Sequence, residues 1–178
     1  GISIPPMSFM ICIIGGIAVQ RWGEPRVTVD VDVTLLTGFG GEEKFVDALL
    51  GQFQPRRADA RAFARSHRVL LLQTTAGVGV DVALGALPFE AAAVGRSSLG
   101  ELLPGVWLRT CSAEDFVVMK AFASRDRDWL DLKGVLIRHG AKLDWPLVLR
   151  ELRPLAELKG APEIVEQLER LRRQLISP

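Results

Sequence analysis

The sequence has few of the residues that form thiol-based sites. It contains two cysteines among 178 residues, and neither Cys12 nor Cys111 belongs to a C-x-x-C motif. This excludes the usual zinc and redox spacings, and also the disulfide framework of a small secreted domain. Because both cysteines lie inside apolar stretches, we expect reduced, buried thiols in a reducing compartment, and therefore a cytoplasmic protein.

A strong net charge and a long apolar run are also absent. The 22 Lys and Arg residues against 21 Asp and Glu give a net charge of +1, so no overall field attracts nucleic acid or a membrane surface. The longest apolar stretch, residues 7–19, is interrupted by Gly15 and Gly16 and is shorter than the ~20 residues of a membrane span. No basic segment precedes it, so it does not predict a signal peptide. We expect no membrane partner.

Strand patterns dominate the first ~110 residues, and helix patterns dominate the rest. Residues 27–34 alternate valine with threonine or aspartate, which predicts a half-buried strand. Further strands are predicted over residues 10–14, 69–75, 78–84 and 106–110. Helices are predicted over residues 17–22, 42–53, 58–65, 88–94 and 112–123, and from 126 onward with breaks near 139–140 and 160–162. The pattern predicts an α/β (α+β) protein, with an α/β core over residues 1–111 and a helical C-terminal part over 112–178.

The most informative segment is Asp30-Val31-Asp32. Strand residues i and i+2 point to the same side, with Cα atoms ~6–7 Å apart, so both carboxylates converge while Val29, Val31 and Val33 are expected to anchor the strand in the core. Two close like charges are costly unless a cation or a proton neutralises them. A divalent ion bound by carboxylate oxygens is one solution, and a solvated strand face without a ligand is the alternative.

Asp81 repeats this pattern in another predicted strand, between Val80 and Val82. If the two strands are close, three carboxylates can hold two metal ions, the arrangement used for phosphoryl and nucleotidyl transfer. The alternative for Asp81 is a surface carboxylate on an edge strand. Gly15-Gly16 precedes a predicted helix and permits close approach of a phosphate to backbone N–H groups, unless it only forms a tight turn.

These motifs resemble a known family. Ile14-Gly15-Gly16, thirteen residues, and then Asp30-Val31-Asp32-Val33 is similar to the DNA polymerase β-type nucleotidyltransferase superfamily. A closer likeness is to AbiEii-type and related small bacterial nucleotidyltransferase domains, which include toxins of toxin–antitoxin pairs. The matching segments are Gly15-Gly16-Ile17-Ala18, Gly23 with Arg26-x-Thr28-x-Asp30-x-Asp32, Ala113-Glu114-Asp115, Lys120, and Arg127-Asp128-x-x-Asp131.

The resemblance implies a nucleotidyltransferase fold with a mixed sheet, Mg²⁺ at a two-ion site, and transfer of NMP from an NTP to a hydroxyl. It implies that Asp30, Asp32 and Asp81 bind metal and act in catalysis, assisted by Lys120, Asp128 and Asp131. It further implies nucleotide binding by Gly15, Gly16, Arg26, Thr28, Lys120 and Arg127.

The acceptor stays open between an RNA 3′ end such as that of tRNA, a protein hydroxyl and a small molecule. An antitoxin protein is a further candidate partner. The alternatives to the enzyme are a catalytically silent nucleotide- or partner-binding module on the same fold, and a purely structural domain.

Two groups of charged residues have helical spacing. On one unbroken helix, Lys120, Arg127 and Asp131 would share a face and line the nucleotide cleft; a helix break near Asp126 would separate them, and a surface ion pair between Arg127 and Asp131 is the alternative. A second group would form a basic stripe able to contact phosphates, but a solvated helix face is favoured; its members are Arg57, Arg61, Arg65 and Arg68.

Overall fold

The computed structural model describes residues 10–176, so the first three residues of the apolar stretch 7–19 lie outside the described residues. The chain divides into two compact units. The first contains the chain up to Ile17 together with Val27–Cys111, and the second contains Ala18–Arg26 and the chain from Ser112 onward. Among the described residues, no helix combines the length and the apolar character needed to cross a bilayer.

A seven-stranded sheet forms the centre of the first unit. Its strands are β1 (Ile11–Ile13), β2 (Asp30–Leu36), β3 (Gln54–Pro55), β4 (Val69–Gln73), β5 (Gly79–Gly85), β6 (Ser98–Leu103) and β7 (Val106–Thr110). They lie in the order β3-β4-β5-β2-β1-β7-β6. The pairs β2–β5 and β1–β7 are parallel, while the other neighbours are antiparallel. The predicted α/β class with a mixed sheet is therefore confirmed.

Helices and apolar strand residues complete the first unit. Its helices are α2 (Glu43–Leu50), α3 (Ala60–His67) and α4 (Pro88–Arg96), and α1 (Gly15–Trp22) begins in this unit. Leu70 and Leu72 of β4 and Leu84 of β5 are almost completely buried. They alternate with less buried residues, as expected for strands that cover a core with one face. Phe45 of α2 packs into the same cluster.

The second unit is helical. It contains α5 (Ala113–Ala123), α6 (Asp126–His139), a 3₁₀ turn (Gly140–Lys142), α7 (Trp145–Lys159) and α8 (Glu163–Leu175). The hydroxyl of Ser112 accepts a hydrogen bond from the N–H of Asp115 at 3.1 Å, which caps the start of α5. Ser124 ends α5 in the left-handed conformation, with φ of 58°.

The strand containing Asp30 begins later than the alternation predicts. Residues 27–29 precede β2, and Val27 and Val29 are 84% and 74% exposed. The prediction that Val29 anchors this strand in the core is therefore wrong, and Leu35, near the other end of β2, is buried instead. Pairing determines these limits: the register of β2 with β5 begins at Asp30 opposite Gly79.

The sequence patterns do not predict two of the strands, β3 and β6. β6 has no regular alternation, and it forms because it pairs with β7 across a turn at Gly105, where φ is 76°. β3 has only two residues and lies at the edge of the sheet. Both depend on pairing with a neighbour rather than on their own apolar pattern.

Candidate functional site

Three carboxylates meet on one face of the sheet. β2 and β5 are parallel neighbours, with Asp32 directly opposite Asp81 and Asp30 opposite Gly79. Neighbouring strands lie ~4.8 Å apart, and residues i and i+2 share a face. The structure therefore brings together all three predicted aspartates, and we call Asp30, Asp32 and Asp81 the carboxylate face.

The residue opposite Asp30 has no side chain, and this leaves room for the carboxylate. A Cβ added at Gly79 would overlap Oδ1 of Asp30 and would lie 3.2 Å from Nη1 of Arg56. Gly79 is itself buried. The space that a side chain would fill is thus taken by the Asp30 carboxylate and a guanidinium.

Arg56 is the residue of this site that sequence reasoning missed. Its Nη1 lies 3.9 Å from Oδ1 of Asp30, and its Nη2 donates a hydrogen bond to Oδ1 of Asp81. Its backbone N–H donates to the carbonyl of Leu71 in β4 at 3.0 Å, which fixes the chain beside the sheet. The sequence shows Arg56 only as one arginine in a basic stretch, and its position follows from strand order.

Asp32 contacts the glycine pair. The Gly16 N–H donates to Oδ2 of Asp32 at 3.2 Å, and the Ile14 N–H donates to the Asp32 carbonyl at 2.9 Å. Gly15 has φ of +58°, and a Cβ there would overlap the Asp32 carboxylate. The glycine pair therefore permits close approach of β2 as well as a sharp turn into α1.

Thr28 lies against the other glycine. A Cβ at Gly16 would overlap Oγ1 of Thr28, and this hydroxyl donates to the carbonyl of Asp30 at 3.2 Å. The predicted residues Gly15, Gly16 and Thr28 thus adjoin the carboxylate face within the first unit.

The carboxylate face is accessible and only partly neutralised. The side chains of Asp30 and Asp81 are 42% and 32% exposed. Three carboxylates against one guanidinium leave a formal charge of −2, which favours a further cation.

Carboxylate oxygens are the ligands that Mg²⁺ takes in proteins, so the donor set fits this ion. Among the described residues, no group of three or more His, Cys, Asp or Glu side chains already has the arrangement of a metal site. At this face, Arg56 donates to Oδ1 of Asp81, and the Gly16 amide donates to Oδ2 of Asp32.

The second unit contains a separate cluster of the predicted residues. Nζ of Lys120 lies 2.8 Å from both Oδ1 of Asp128 and Oδ2 of Asp131. Asp131 also accepts two hydrogen bonds from Arg26, at 2.8 and 2.9 Å. Asp128 accepts three from Arg125, from Nε at 2.6 Å and from Nη2 and the backbone N–H at 3.2 Å each. We call these five residues the buried ion-pair network.

Burial distinguishes this network from a solvated charge cluster. The side chains of Lys120, Asp128 and Asp131 are 9%, 1% and 4% exposed. Burial acts to raise the pKa of Asp128, but hydrogen bonds from Arg125 and Lys120 outweigh it, so this pKa lies below its usual value. The same balance, with Arg26 and Lys120 as donors, lowers the pKa of Asp131. Both carboxylates are therefore ionised at neutral pH.

Arg127 does not share a face with Lys120 and Asp131 on one helix. Ser124 separates α5 from α6, so the unbroken helix needed for that geometry does not exist. Lys120 and Asp131 meet by packing of the two helices, while Arg127 is exposed. Asp131 pairs with Arg26 and Lys120, so the alternative interpretation, a surface ion pair between Arg127 and Asp131, does not describe the structure either.

The basic stripe around α3 is neutralised by carboxylates. Its ion pairs are Arg57 with Asp59, Arg61 with Asp47, Arg65 with Glu43, and Arg68 with Glu42. This surface is a solvated helix face whose arginines pair with carboxylates, which agrees with the interpretation favoured from the sequence.

Comparisons with known proteins give fold likenesses only. No family model and no curated protein matches the sequence. An antigenic nucleotidyltransferase-like protein from Paracoccidioides brasiliensis is similar at 12% identity and a TM-score of 0.46, covering 89% of this chain and 84% of its own. The antibiotic-resistance factor ANT(2'')-Ia is similar at 18% identity and a TM-score of 0.40, covering 94% of this chain and 82% of its own. Both scores lie below 0.5, so neither likeness bears on what this chain does.

Proposed function

We propose that the first unit is a Mg²⁺-dependent nucleotidyltransferase that moves an NMP from an NTP to a hydroxyl. The observation that carries this proposal is the register of β2 and β5, which sets Asp32 opposite Asp81 with Asp30 on the same face. The glycine pair before α1 adjoins Asp32 through the Gly16 amide. Carboxylates on neighbouring strands beside a helix N-terminus are the components that an in-line nucleotidyl transfer needs.

Each of these side chains has a task in that reaction. Asp30, Asp32 and Asp81 would hold a two-ion Mg²⁺ site, and Mg²⁺ bound there would neutralise triphosphate charge and favour ionisation of the acceptor hydroxyl. Asp81 would take the hydroxyl proton. The acceptor oxygen then forms a bond to the α-phosphorus, the bond to the pyrophosphate oxygen breaks, and pyrophosphate leaves.

The glycine pair would bind the triphosphate. In the present structure the Gly16 N–H donates to Asp32, so a phosphate oxygen would compete with that carboxylate for the amide. Thr28 adjoins the same glycine, and its hydroxyl, which donates to the Asp30 carbonyl in this structure, would turn to a phosphate oxygen instead. We also propose nucleotide contacts from Arg26, Lys120 and Arg127, and catalytic assistance from Lys120, Asp128 and Asp131. In the structure, Arg26, Lys120 and the two aspartates bond to one another inside the second unit.

A nucleotide-binding module without turnover is the second candidate. The observation that favours it is that all three carboxylates already have protein partners, Arg56 for Asp30 and Asp81 and the Gly16 amide for Asp32. Such a module would bind a Mg²⁺–NTP complex without releasing pyrophosphate.

Pyrophosphate release separates the two candidates. We would incubate the full chain with Mg²⁺ and each NTP, labelled at the α-phosphate, together with tRNA, protein or small-molecule acceptors. The Asp32→Asn variant should lower pyrophosphate release and label transfer at least 100-fold, since one metal ligand is lost. Asp59→Asn removes a carboxylate that pairs with the exposed Arg57 and should leave both rates unchanged.

Other outcomes are equally informative. Binding of Mg²⁺–NTP by calorimetry without pyrophosphate release from any acceptor would favour the module. An absent effect of Mg²⁺–NTP on melting temperature would contradict both candidates, because a ligand that binds the folded state raises its stability.

The resemblance to AbiEii-type domains extends the proposal to a toxin whose acceptor is an RNA 3′ end or a protein hydroxyl and whose partner is an antitoxin protein. Induced expression in a bacterial host should then arrest growth, and Asp32→Asn should abolish the arrest. Equal growth of cells that express the unmodified chain or Asp32→Asn would contradict the toxin role. It would not contradict nucleotidyl transfer, which the pyrophosphate assay tests separately.

A further inference from the structure

Arg56 is the cation on the carboxylate face. It joins aspartates from two strands, with Nη1 3.9 Å from Asp30 and Nη2 hydrogen-bonded to Asp81. Because the guanidinium and a metal ion would bind the same two carboxylates, the two cations compete for Asp30 and Asp81.

The chain around Arg56 holds the side chain there. The bond from its backbone N–H to Leu71 fixes its Cα beside β4, and the missing side chain at Gly79 opens the space next to Asp30. The following residue, Arg57, pairs with Asp59 instead, away from the carboxylate face. Two adjacent arginines therefore have different partners, and only the first touches residues of the proposed site.

The contact is also one that can break. The side chain of Arg56 is 29% exposed, and those of its two partners are 42% and 32% exposed. Ion pairs exposed to this extent contribute little net stability, so a divalent ion can displace the guanidinium. A released arginine has a planar fork of donors that suits phosphate oxygens.

We propose that Arg56 is a displaceable counter-ion: it holds Asp30 and Asp81 before the metal binds, and it contacts the polyphosphate of the substrate afterwards. The proposal rests on the proposed function in one respect, that the carboxylate face binds a divalent cation. It predicts opposite effects of Arg56 on the two ligands. Arg56 weakens the binding of the metal alone and strengthens the binding of a polyphosphate to the metal-loaded protein.

Calorimetric titration of the full chain tests both effects. Arg56→Gln should bind Mn²⁺ alone about two- to fivefold more tightly than the unmodified chain, the range expected for loss of a partly exposed ion pair. At saturating Mn²⁺, the same variant should bind inorganic tripolyphosphate at least about fivefold more weakly. Arg57→Gln is the matched control, because it removes the same charge one residue away, and both affinities should stay unchanged.

A second variant keeps the test decisive if Arg56→Gln affects folding. Arg56→Lys keeps the charge but lacks the fork of donors, so its Mn²⁺ affinity should lie between those of the unmodified chain and Arg56→Gln. Equal Mn²⁺ affinities for all four proteins would overturn the counter-ion role and leave the proposed function intact. Failure of every protein to bind Mn²⁺ would overturn both.

Discussion

The carboxylate face and the buried ion-pair network use the same residue types with opposite charge balance. The face has three carboxylates and one guanidinium, and its side chains are partly exposed. The network has two carboxylates against Lys120, Arg26 and Arg125, and its two aspartates are almost completely buried. A surplus of accessible negative charge suits a cation ligand, whereas a buried and fully paired cluster suits a structural role.

The comparison also separates two aspartate motifs that look alike in the sequence. Asp30-x-Asp32 lies in a strand, so both carboxylates share a face. A cation that neutralises them must come from outside that strand. Asp128-x-x-Asp131 lies in α6, where spacing of three places both residues on one side of the helix, and Lys120 of α5 binds both. The second motif therefore already has its cation from the chain itself.

The largest stability effect is expected in the network. Lys120→Met leaves two buried carboxylates with fewer donors, and breaking a buried pair in this way should lower the free energy of unfolding by about 3 kcal/mol. Urea denaturation followed by circular dichroism measures this loss. Lys133→Met, at an exposed position of α6, the helix that contains both aspartates, is the control and should change stability by less than about 0.5 kcal/mol. Equal effects of the two substitutions would contradict the structural role.

A smaller loss of stability is expected for a substitution at Gly79, where the missing side chain leaves space for the Asp30 carboxylate. Gly79→Ala forces the Asp30 carboxylate and Arg56 to move, and because both side chains are partly exposed, we expect a loss of about 1–2 kcal/mol. Mn²⁺ binding should weaken as well. At Gly95, which lies within α4 and has open space around it, an alanine should stabilise the protein slightly. Unchanged stability and unchanged Mn²⁺ affinity of Gly79→Ala would show that the close packing of Gly79 against Asp30 contributes to neither.

The smallest effect concerns pH. The pKa values of Asp128 and Asp131 lie below the usual value in the folded protein, so the unfolded chain binds protons first as the pH falls. Their contribution is therefore fully present above about pH 5 and is lost as the pH drops through the lowered pKa values. Asp128→Asn should lower the free energy of unfolding at pH 7, and the difference from the unmodified chain should shrink towards pH 3. If urea unfolding shows the same difference in unfolding free energy between Asp128→Asn and the unmodified chain from pH 7 to pH 3, the ion pairing of Asp128 is contradicted.

Local patterns predicted much of the fold. The apolar run before Gly15, the alternation around Asp81 and the helix pattern over residues 112–123 each reflect forces that act within a few residues, and the structure has β1, β5 and α5 at these places. The shared face of Asp30 and Asp32 follows from strand geometry alone.

The remaining features depend on which strands and helices are neighbours. Alternation predicts a face but no partner, so it could not limit β2 to the residues that pair with β5, and it placed the exposed Val27 and Val29 in the strand. The contact of Arg56 with Asp30 and Asp81 follows from sheet order. The meeting of Lys120 with Asp131 likewise needs the turn at Ser124, which folds α6 back on α5.

The most direct test of the carboxylate face is Mn²⁺ binding by Asp81→Asn. Asp81 is the one carboxylate contributed by β5, 49 residues from Asp32 in sequence and opposite it in the sheet. If the three carboxylates act together, calorimetry should show Mn²⁺ affinity at least 10-fold lower for Asp81→Asn than for the unmodified chain, with Asp59→Asn unchanged. Equal Mn²⁺ affinity for Asp81→Asn and the unmodified chain would show that β5 contributes nothing to cation binding, and would contradict the account.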